Sequence, residues 1–226
     1  LLLASITVLI GCSSFSVNGF LDFTTNSLSV AGNSIIISIK EYQGSAKMKK
    51  ILLLGGTGLA GQAIYRALQD KYRIVRTAGH HDVKCGWRVS VEEPERLLTI
   101  LNTEDPDIVI SSIRGDFQAQ MQFHESLADW LSGKEKRLLF LSTSNVFDGD
   151  LNRPHTETDL PAPCSDYGIF KYDCETMLQK KLPGQILIFR PSMIWAPKCP
   201  RLSSLIQCSC SGKPSRTWQN FHINIT

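Results

Sequence analysis

The 226-residue sequence predicts an α/β fold built on a doubly wound parallel sheet. From Met48 onwards, short apolar runs alternate with segments of helical periodicity, which is typical of a parallel sheet covered by helices on both faces. The first apolar run ends in a cluster of glycines, and the rhythm stops after the last run, at Arg190-Pro191. We therefore predict a doubly wound domain over residues 48–197, followed by the incomplete beginning of a second lobe over residues 198–226.

The elements follow from these runs in order. Apolar runs predict strands over residues 49–54, 72–78, 107–113, 136–142 and 185–190, and helical spacing predicts helices after Gly61 and over residues 94–102, 116–131 and 165–181. We expect Asp116 to cap the third helix, which would bury Phe117, Leu127 and Trp130 or Leu131. Beyond the last strand, residues 201–209 predict a short helix and residues 218–225 a short strand.

The glycine cluster is the most informative stretch of the chain. Residues 51–61 read Ile-Leu-Leu-Leu-Gly-Gly-Thr-Gly-Leu-Ala-Gly, an apolar strand that turns through glycines into a helix. Such a turn lets the backbone approach a dinucleotide's pyrophosphate, and the helix N-terminus offers free N–H groups. Gly56, Gly58 and Gly61 fit a G-x-G-x-x-G spacing, whereas Gly55, Gly58 and Gly61 fit G-x-x-G-x-x-G. The loop thus predicts a Rossmann-type dinucleotide-binding domain, with a plain strand-to-helix turn as the alternative.

The first 47 residues differ in composition from the rest. Residues 1–10 are apolar, residues 9–12 resemble a bacterial lipoprotein cleavage box ending at Cys12, and a polar stretch follows with one β-prone run at 35–39. Dinucleotide-binding proteins commonly begin with their first strand, so we expect Met48 to be the natural start and residues 1–47 an upstream extension or a processed leader. N-terminal sequencing of the natural protein checks this, because a mature terminus at Cys12 would refute it.

Charge and cysteine content limit the partners, the cellular compartment and the metal sites that we expect for this protein. The net charge of +3 is small and the basic residues are scattered, which argues against a nucleic-acid partner. The seven cysteines are odd in number and widely spaced, as expected for free thiols in a reducing cytoplasm. Cys199, Cys208, Cys210 and His222 do not have the spacing of a zinc knuckle or ribbon, so we expect no metal site. We likewise expect no membrane contact for residues 48–226.

Two downstream groups could carry chemistry. Ser142-Thr143-Ser144 follows a predicted parallel strand at the end where open α/β sheets bind ligands. Tyr167 and Lys171 are spaced i and i+4 on a predicted helix and so share a face, where the ammonium is expected to lower the pKa of the phenol. Either group alone has an ordinary explanation, as a helix cap or a chance pairing on a helix.

Together with the glycine loop, these groups resemble the short-chain dehydrogenase/reductase family, in particular its extended branch that acts on nucleotide sugars and contains the dTDP-4-dehydrorhamnose reductases. Residues 141–149, Leu-Ser-Thr-Ser-Asn-Val-Phe-Asp-Gly, are similar to that family's Ser-Thr-Asp-Tyr-Val-Phe-Asp-Gly element. The interval from Thr143 to Tyr167 also fits, and the resemblance covers about residues 48–226. It favours the G-x-x-G-x-x-G spacing, which leaves Gly56 outside the pattern.

The resemblance implies a catalytic triad of Thr143, Tyr167 and Lys171. Tyr167 would protonate a sugar ketone as hydride arrives from the nicotinamide, Thr143 would hydrogen-bond the same oxygen, and Lys171 would tune Tyr167 and hold the nicotinamide ribose. The implied cofactor-binding residues are Gly55, Thr57, Gly58, Leu59, Ala60, Gly61, Arg76, Ser111, Ser112, Tyr167, Lys171, Pro191 and Met193. The second strand ends with Arg76 and no acidic residue, so NADP is expected rather than NAD.

The departures from the family element separate the candidate activities. Dehydratases of the family carry Asp-Glu where this chain has Ser144-Asn145, which argues against dehydration. The resemblance implies an NAD(P)-dependent reductase of a nucleotide-linked 4-keto-sugar. Two alternatives stay open: a non-catalytic NADP-binding regulatory subunit like the beta subunit of methionine adenosyltransferase, and a nucleotide-sugar epimerase. A cytoplasmic location is expected, lipoprotein-type export is the minor alternative, and a homodimer is left open.

Overall fold

The computed structural model describes residues 48–79, 86–156, 158–192 and 194, and also the backbone of three short strands nearer the N-terminus. These strands, β1 (Val8–Leu9), β2 (Ser27–Ala31) and β3 (Ser34–Ser38), form an antiparallel sheet in the order β1-β3-β2. The described residues belong to one compact unit, residues 1–194. The predicted helix at 201–209, the predicted strand at 218–225 and the cysteine and histidine candidates beyond residue 198 lie outside the described residues.

A six-stranded parallel sheet forms the centre of the fold. Its strands are β4 (Lys50–Leu54), β5 (Arg73–Ala78), β6 (Gly86–Arg88), β7 (Ile108–Ser111), β8 (Arg137–Leu141) and β9 (Ile186–Phe189), in the order β6-β5-β4-β7-β8-β9. Every neighbouring pair runs parallel, with Leu52 opposite both Val75 and Val109. The predicted Rossmann-type fold is therefore confirmed.

Within the part of the chain that the structure describes, four α-helices and one 3-10 helix connect the strands: α1 (Leu59–Leu68), α2 (Pro94–Glu104), α3 (Phe117–Leu131), the 3-10 helix Ser144–Phe147 and α4 (Asp166–Lys181). The predicted cap of α3 is confirmed, because the Asp116 carboxylate accepts a hydrogen bond from the Ala119 N–H at 2.9 Å. At α4, the Ser165 hydroxyl accepts one from the Gly168 N–H at 3.1 Å. Side-chain caps therefore fix where both helices begin.

The two faces of the sheet bury separate apolar clusters. Leu52 and Leu54 of β4 pack on the side of α2, α3 and α4, whereas Ile51 and Leu53 pack on the side of α1. This alternation explains why the strand reads as an unbroken apolar run, since both of its faces are covered. The strand order reverses between β4 and β7, and in such sheets the ligand crevice lies at the carboxyl ends of the strands beside this switch point.

Two details differ from the predicted elements. Strand β6 has only three residues, pairs along one edge with β5, and was not predicted because it lacks an apolar run. The predicted burial of Phe117 is wrong: its side chain is 40% exposed. Phe117 occupies the first position of α3, where its ring stacks on Phe170 at 4.5 Å between centroids and reaches toward Tyr167 at 6.1 Å.

No helix among the described residues is both long and apolar enough to span a bilayer. The described residues also contain no group of three His, Cys, Asp or Glu side chains that could hold a metal ion. Cys164 and Cys174 are free thiols, the first exposed and the second buried.

Candidate functional site

The glycine loop follows β4 at the switch point. Gly55 has a φ of +75°, in the left-handed region, and a Cβ there would lie 2.7 Å from the Ser112 carbonyl oxygen. A Cβ at Gly61 would lie 2.2 Å from the Gly55 carbonyl oxygen. The first and last glycines of the G-x-x-G-x-x-G spacing are therefore required by the close packing of the loop on α1 and on the end of β7.

Gly56 is also restricted, although it lies outside that spacing. A Cβ at Gly56 would lie 2.9 Å from the Cβ of Arg76, whereas a Cβ at Gly58 would meet only the Gly55 carbonyl oxygen at 3.4 Å. The main-chain N–H of Gly56 donates to the Thr77 carbonyl at 2.8 Å, which ties the loop to β5. The position that the pattern treats as incidental is thus more crowded than Gly58, which belongs to it.

The first turn of α1 fits an anionic group. Its N-cap, Gly58, has no side chain to accept a hydrogen bond, and no acidic side chain lies in the turn. The main-chain N–H groups of Leu59, Ala60 and Gly61 have no acceptor within the described part of the chain. Thr57 contributes its carbonyl to the Gln62 side chain at 2.7 Å. Free amides at a helix N-terminus are the usual partners of a pyrophosphate.

Replacing Gly61 with Ala should disrupt the loop, because the new methyl group would overlap the Gly55 carbonyl oxygen. We expect a loss of about 1–3 kcal/mol in the free energy of unfolding, the usual cost of overpacking, together with loss of dinucleotide binding. Gly58→Ala is the matched control for stability, since its backbone is extended and its new contact is an ordinary one. Urea denaturation measures stability and fluorescence titration measures NADPH binding; an equal loss of stability in the two variants would contradict this explanation.

Arg76 lies on β5 beside the loop. Its guanidinium carbon sits 4.0 Å from the centre of the Tyr65 ring, a cation–π contact that holds the side chain over α1. Residues 76–79, the described end of this strand, include no acidic side chain that would bind a ribose 2′-hydroxyl. The chemistry of this corner suits a 2′-phosphate better than a free ribose.

The two serines at the end of β7 have different surroundings. The Ser112 hydroxyl donates to the Leu54 carbonyl at 2.8 Å and so joins β7 to the start of the glycine loop. Ser111 is buried, and its oxygen lies 2.8 Å from Nε2 of His124 on α3. Nδ1 of His124 faces the Gln120 carbonyl at 2.7 Å and must donate to it, so Nε2 accepts the Ser111 proton. The Ser111 side chain is therefore directed into the core, and its predicted cofactor contact could involve only its main chain.

The buried His124 predicts a loss of stability in acid. Burial lowers its pKa to about 3, and the charge of Lys171 acts in the same direction. Between pH 6.5 and 3 the unfolded chain binds a proton that the folded protein does not, so the free energy of unfolding falls as the pH drops, by about 5 kcal/mol in all. His124→Gln should remove this pH dependence. Urea denaturation between about pH 4 and 7 measures it, and identical slopes in the two proteins would count against this assignment.

Thr143, Tyr167 and Lys171 lie around the carboxyl end of β8. Thr143 directly precedes the 3-10 helix and is buried. The Lys171 ammonium donates to the Leu141 carbonyl at 3.0 Å, and a Cβ at Gly168 would lie 2.4 Å from the Asn145 carbonyl oxygen. The first turns of α4, which carry Tyr167 and Lys171, therefore pack directly against the segment that carries Thr143.

Lys171 is an unusual buried cation. Its ammonium lies 4.5 Å from the centre of the Phe140 ring, and the side chain is only 4% exposed. Burial lowers the pKa of Lys171 to about 8, although the charges of Cys174 and Glu175 oppose this effect. The group can therefore gain or lose a proton close to neutral pH.

The structure contradicts the prediction that Lys171 lowers the pKa of Tyr167. Burial raises the pKa of Tyr167 above its ordinary value, and Arg114, rather than Lys171, is the cation that opposes the increase. Tyr167 is 41% exposed and therefore accessible, and its raised pKa keeps the phenol protonated at neutral pH. Tyr167 is thus suited to donate a proton. Sequence reasoning missed Arg114 because it follows β7, far from the Tyr-x-x-x-Lys pair along the chain.

Asp148 joins the two segments of the site. Its carboxylate accepts hydrogen bonds from the main-chain N–H groups of Cys164 at 2.6 Å and Ser165 at 3.2 Å, and from the Ser165 hydroxyl. Burial alone would raise the pKa of Asp148, but these hydrogen bonds outweigh it and lower the pKa. Asp148 belongs to the Val-Phe-Asp-Gly stretch, so the family element was the available signal for this role.

The residues that follow β9 contact both the segment after β8 and helix α4. Pro191 is buried, and its carbonyl accepts a hydrogen bond from the Ser144 N–H at 3.0 Å. Beside it, Arg190 forms a buried ion pair with Glu175 of α4, with Nη2 to Oε2 at 2.5 Å and Nε to Oε1 at 3.0 Å. Met193 lies outside the described residues, so its predicted cofactor contact stays a prediction.

Comparison with known proteins identifies a family and several relatives that match over part of their length. The family model described as RmlD substrate binding domain matches residues 48–206. Methionine adenosyltransferase 2 subunit beta of Mus musculus is 28% identical over 169 residues, covering 65% of this chain and 48% of that protein. The dTDP-4-dehydrorhamnose reductase of Escherichia coli strain K12 is 27% identical over 160 residues, covering 66% and 52%. The chain spans about half the length of the curated relatives it matches.

Solved structures share the fold. The dTDP-4-dehydrorhamnose reductase of Yersinia enterocolitica matches with a TM-score of 0.59 at 25% identity, over 73% of this chain and 61% of that one. The dTDP-4-dehydrorhamnose reductase of Bacillus anthracis, solved in complex with NADP, matches with a TM-score of 0.62 at 18% identity, over 74% and 62%. The second likeness concerns the fold alone.

Proposed function

Because this chain belongs to the RmlD substrate-binding domain family, we propose that it is an NADPH-dependent reductase of a nucleotide-linked 4-keto-sugar. The observation that carries the proposal is the packing of α4, with Tyr167 and Lys171, against the end of β8, with Thr143. A binding protein has no need for this set of residues, whereas a ketone reductase needs a proton donor beside its hydride donor.

The cofactor-binding residues in this proposal are those of the glycine loop and Arg76. The free amides of α1 would bind the pyrophosphate, and Arg76 the 2′-phosphate of NADP. When bound, NADPH supplies a hydride. Lys171 would hold the nicotinamide ribose, because its ammonium is anchored at the carboxyl end of β8.

The remaining chemistry would fall to the chain's own side chains. Tyr167 is protonated at neutral pH and would donate its proton to the ketone oxygen. Thr143 would hydrogen-bond the same oxygen once its hydroxyl proton leaves Asn145 Oδ1, and the Lys171 ammonium, when charged, would stabilise the negative charge that develops there. The Asp148 carboxylate and the Glu175–Arg190 ion pair would act indirectly, by fixing α4 against β8 and β9.

The test is NADPH oxidation with a panel of nucleotide-linked 4-keto-sugars, measured by loss of the reduced nicotinamide absorbance. It should be run on this chain and on a form extended to the length of the relatives, since the chain spans about half of them. We expect turnover with at least one keto-sugar in the extended form. If that form bound NADPH but consumed none with any sugar, the reductase proposal would fail.

A second candidate is a non-catalytic, NADP-binding regulatory subunit. The observation that favours it is the 28% identity to methionine adenosyltransferase 2 subunit beta. Under this candidate, NADPH would bind without turnover and Tyr167→Phe would change nothing measurable. The epimerase alternative, the cytoplasmic location and the homodimer remain predictions, as do the domain boundaries at residues 47 and 197.

A further inference from the structure

The hydroxyl of Thr143 makes two hydrogen bonds to Asn145. Its oxygen accepts a hydrogen bond from the main-chain N–H of Asn145 at 3.2 Å, and its proton is donated to the Asn145 side-chain oxygen Oδ1 at 3.1 Å. A hydroxyl has one proton and two lone pairs. Thr143 therefore has one lone pair left for any other partner and no proton.

Asp148 determines which way the Asn145 amide faces. Nδ2 of Asn145 lies 3.5 Å from Oδ2 of Asp148, and an ionised carboxylate can only accept hydrogen bonds. The NH₂ group must therefore face Asp148, which leaves the amide oxygen toward Thr143. Asp148 cannot turn away without losing its hydrogen bonds to Cys164 and Ser165.

We propose that Asn145 sets the polarity of Thr143, so that this side chain presents a lone pair to the ligand and binds a sugar hydroxyl in preference to a ketone oxygen. The inference rests on the proposed function, because it concerns the same sugar position. A ketone oxygen has no proton to offer the Thr143 lone pair, whereas the alcohol formed from it does. To donate to a ketone, Thr143 must first give up its hydrogen bond to Asn145.

This polarity is a property of the present sequence. The family element that residues 141–149 resemble has Tyr where this chain has Asn145, so the amide oxygen that receives the Thr143 proton here is absent from that element. Asn145 is thus a positioning residue, which acts on the ligand through Thr143.

The proton itself gives the most direct test. Neutron diffraction on deuterated crystals of the chain should locate deuterium on the line from Thr143 Oγ1 to Asn145 Oδ1. Deuterium directed away from Asn145 would overturn the proposal. This measurement requires no turnover, so it stays informative even if the reductase proposal fails.

Ligand affinity tests the consequence. The probes are dTDP-4-dehydrorhamnose and dTDP-rhamnose, the alcohol that its reduction gives, measured by calorimetry in the presence of oxidised NADP, which cannot reduce the ketone. Asn145→Leu frees the Thr143 proton but leaves its lone pair, so we expect about tenfold tighter binding of the ketone, the value of one neutral hydrogen bond, and little change for the alcohol. In a Thr143→Val background, the same Asn145→Leu change should have no effect on either affinity. The same ratio of ketone to alcohol affinity in the wild type and Asn145→Leu, or an equal change of that ratio in both backgrounds, would contradict the proposal.

Discussion

Replacing Tyr167 with Phe should lower the rate of NADPH-dependent ketone reduction by about 10²- to 10⁴-fold, the usual contribution of a positioned proton donor. The phenol retains its proton because burial raises its pKa, and the substitution removes that proton while keeping the ring beside Phe117. Affinity for NADPH should change little, since the glycine loop and Arg76 supply most of the proposed contacts. Stopped-flow single-turnover rates and fluorescence titration separate these two quantities.

Tyr172→Phe is the matched control, because Tyr172 is a half-buried tyrosine of the same helix. It should turn over at nearly the wild-type rate. An equal loss of turnover and of NADPH affinity in Tyr167→Phe would show that Tyr167 is wrongly assigned as the proton donor.

Replacing Glu175 with Gln should cost about 3–5 kcal/mol in the free energy of unfolding, the largest loss of stability that we predict for a substitution. Glu175 and Arg190 are 1% and 5% exposed, and the carboxylate receives two N–H groups of the guanidinium. Neutralising it leaves the buried guanidinium without the carboxylate. Chemical denaturation monitored by tryptophan fluorescence measures the loss.

Two comparisons show whether burial causes this effect. The double variant Glu175→Leu/Arg190→Met should recover much of the lost stability, because a buried ion pair is often replaceable by apolar side chains. Asp129→Asn breaks an ion pair with Lys181 in which Asp129 is 64% exposed, and it should cost far less. A similar loss in Asp129→Asn and Glu175→Gln would mean that burial is not the cause.

Sequence reasoning worked where one local pattern determines the structure. The strands β4, β7, β8 and β9 are largely apolar because both faces of the sheet are covered, so they are visible in the sequence without any tertiary information. The glycine loop was recognisable because its backbone geometry excludes side chains at Gly55 and Gly61. Membership of the family was recognisable from three short motifs at fixed intervals.

The features that the sequence did not reveal depend on contacts between distant segments. Glu175 lies on α4 among other charged residues, and only its pairing with Arg190 of a later segment explains its burial. Phe117 was predicted to be buried from helical spacing, but it is the first residue of α3 and its side chain is 40% exposed. The pKa of Tyr167 was predicted to fall because Lys171 is near in sequence, whereas burial and Arg114 determine it.

The hydrogen bonds around Asp148 join two short segments of the polypeptide between β8 and α4 into a base, from which the intervening residues form a loop. Residues 146–149 meet residues 162–165 through two main-chain hydrogen bonds, Gly149 to Ala162 and Ala162 to Val146, as well as the Asp148 carboxylate. Residues 150–161 leave and return through this base, and the buried His155 stacks on Phe147 at 4.6 Å between ring centroids, so we expect changes of length that spare His155 to leave the position of Thr143 relative to Tyr167 unaltered. Insertions in this loop would give the fold a way to acquire new substrates while conserving its reactive geometry.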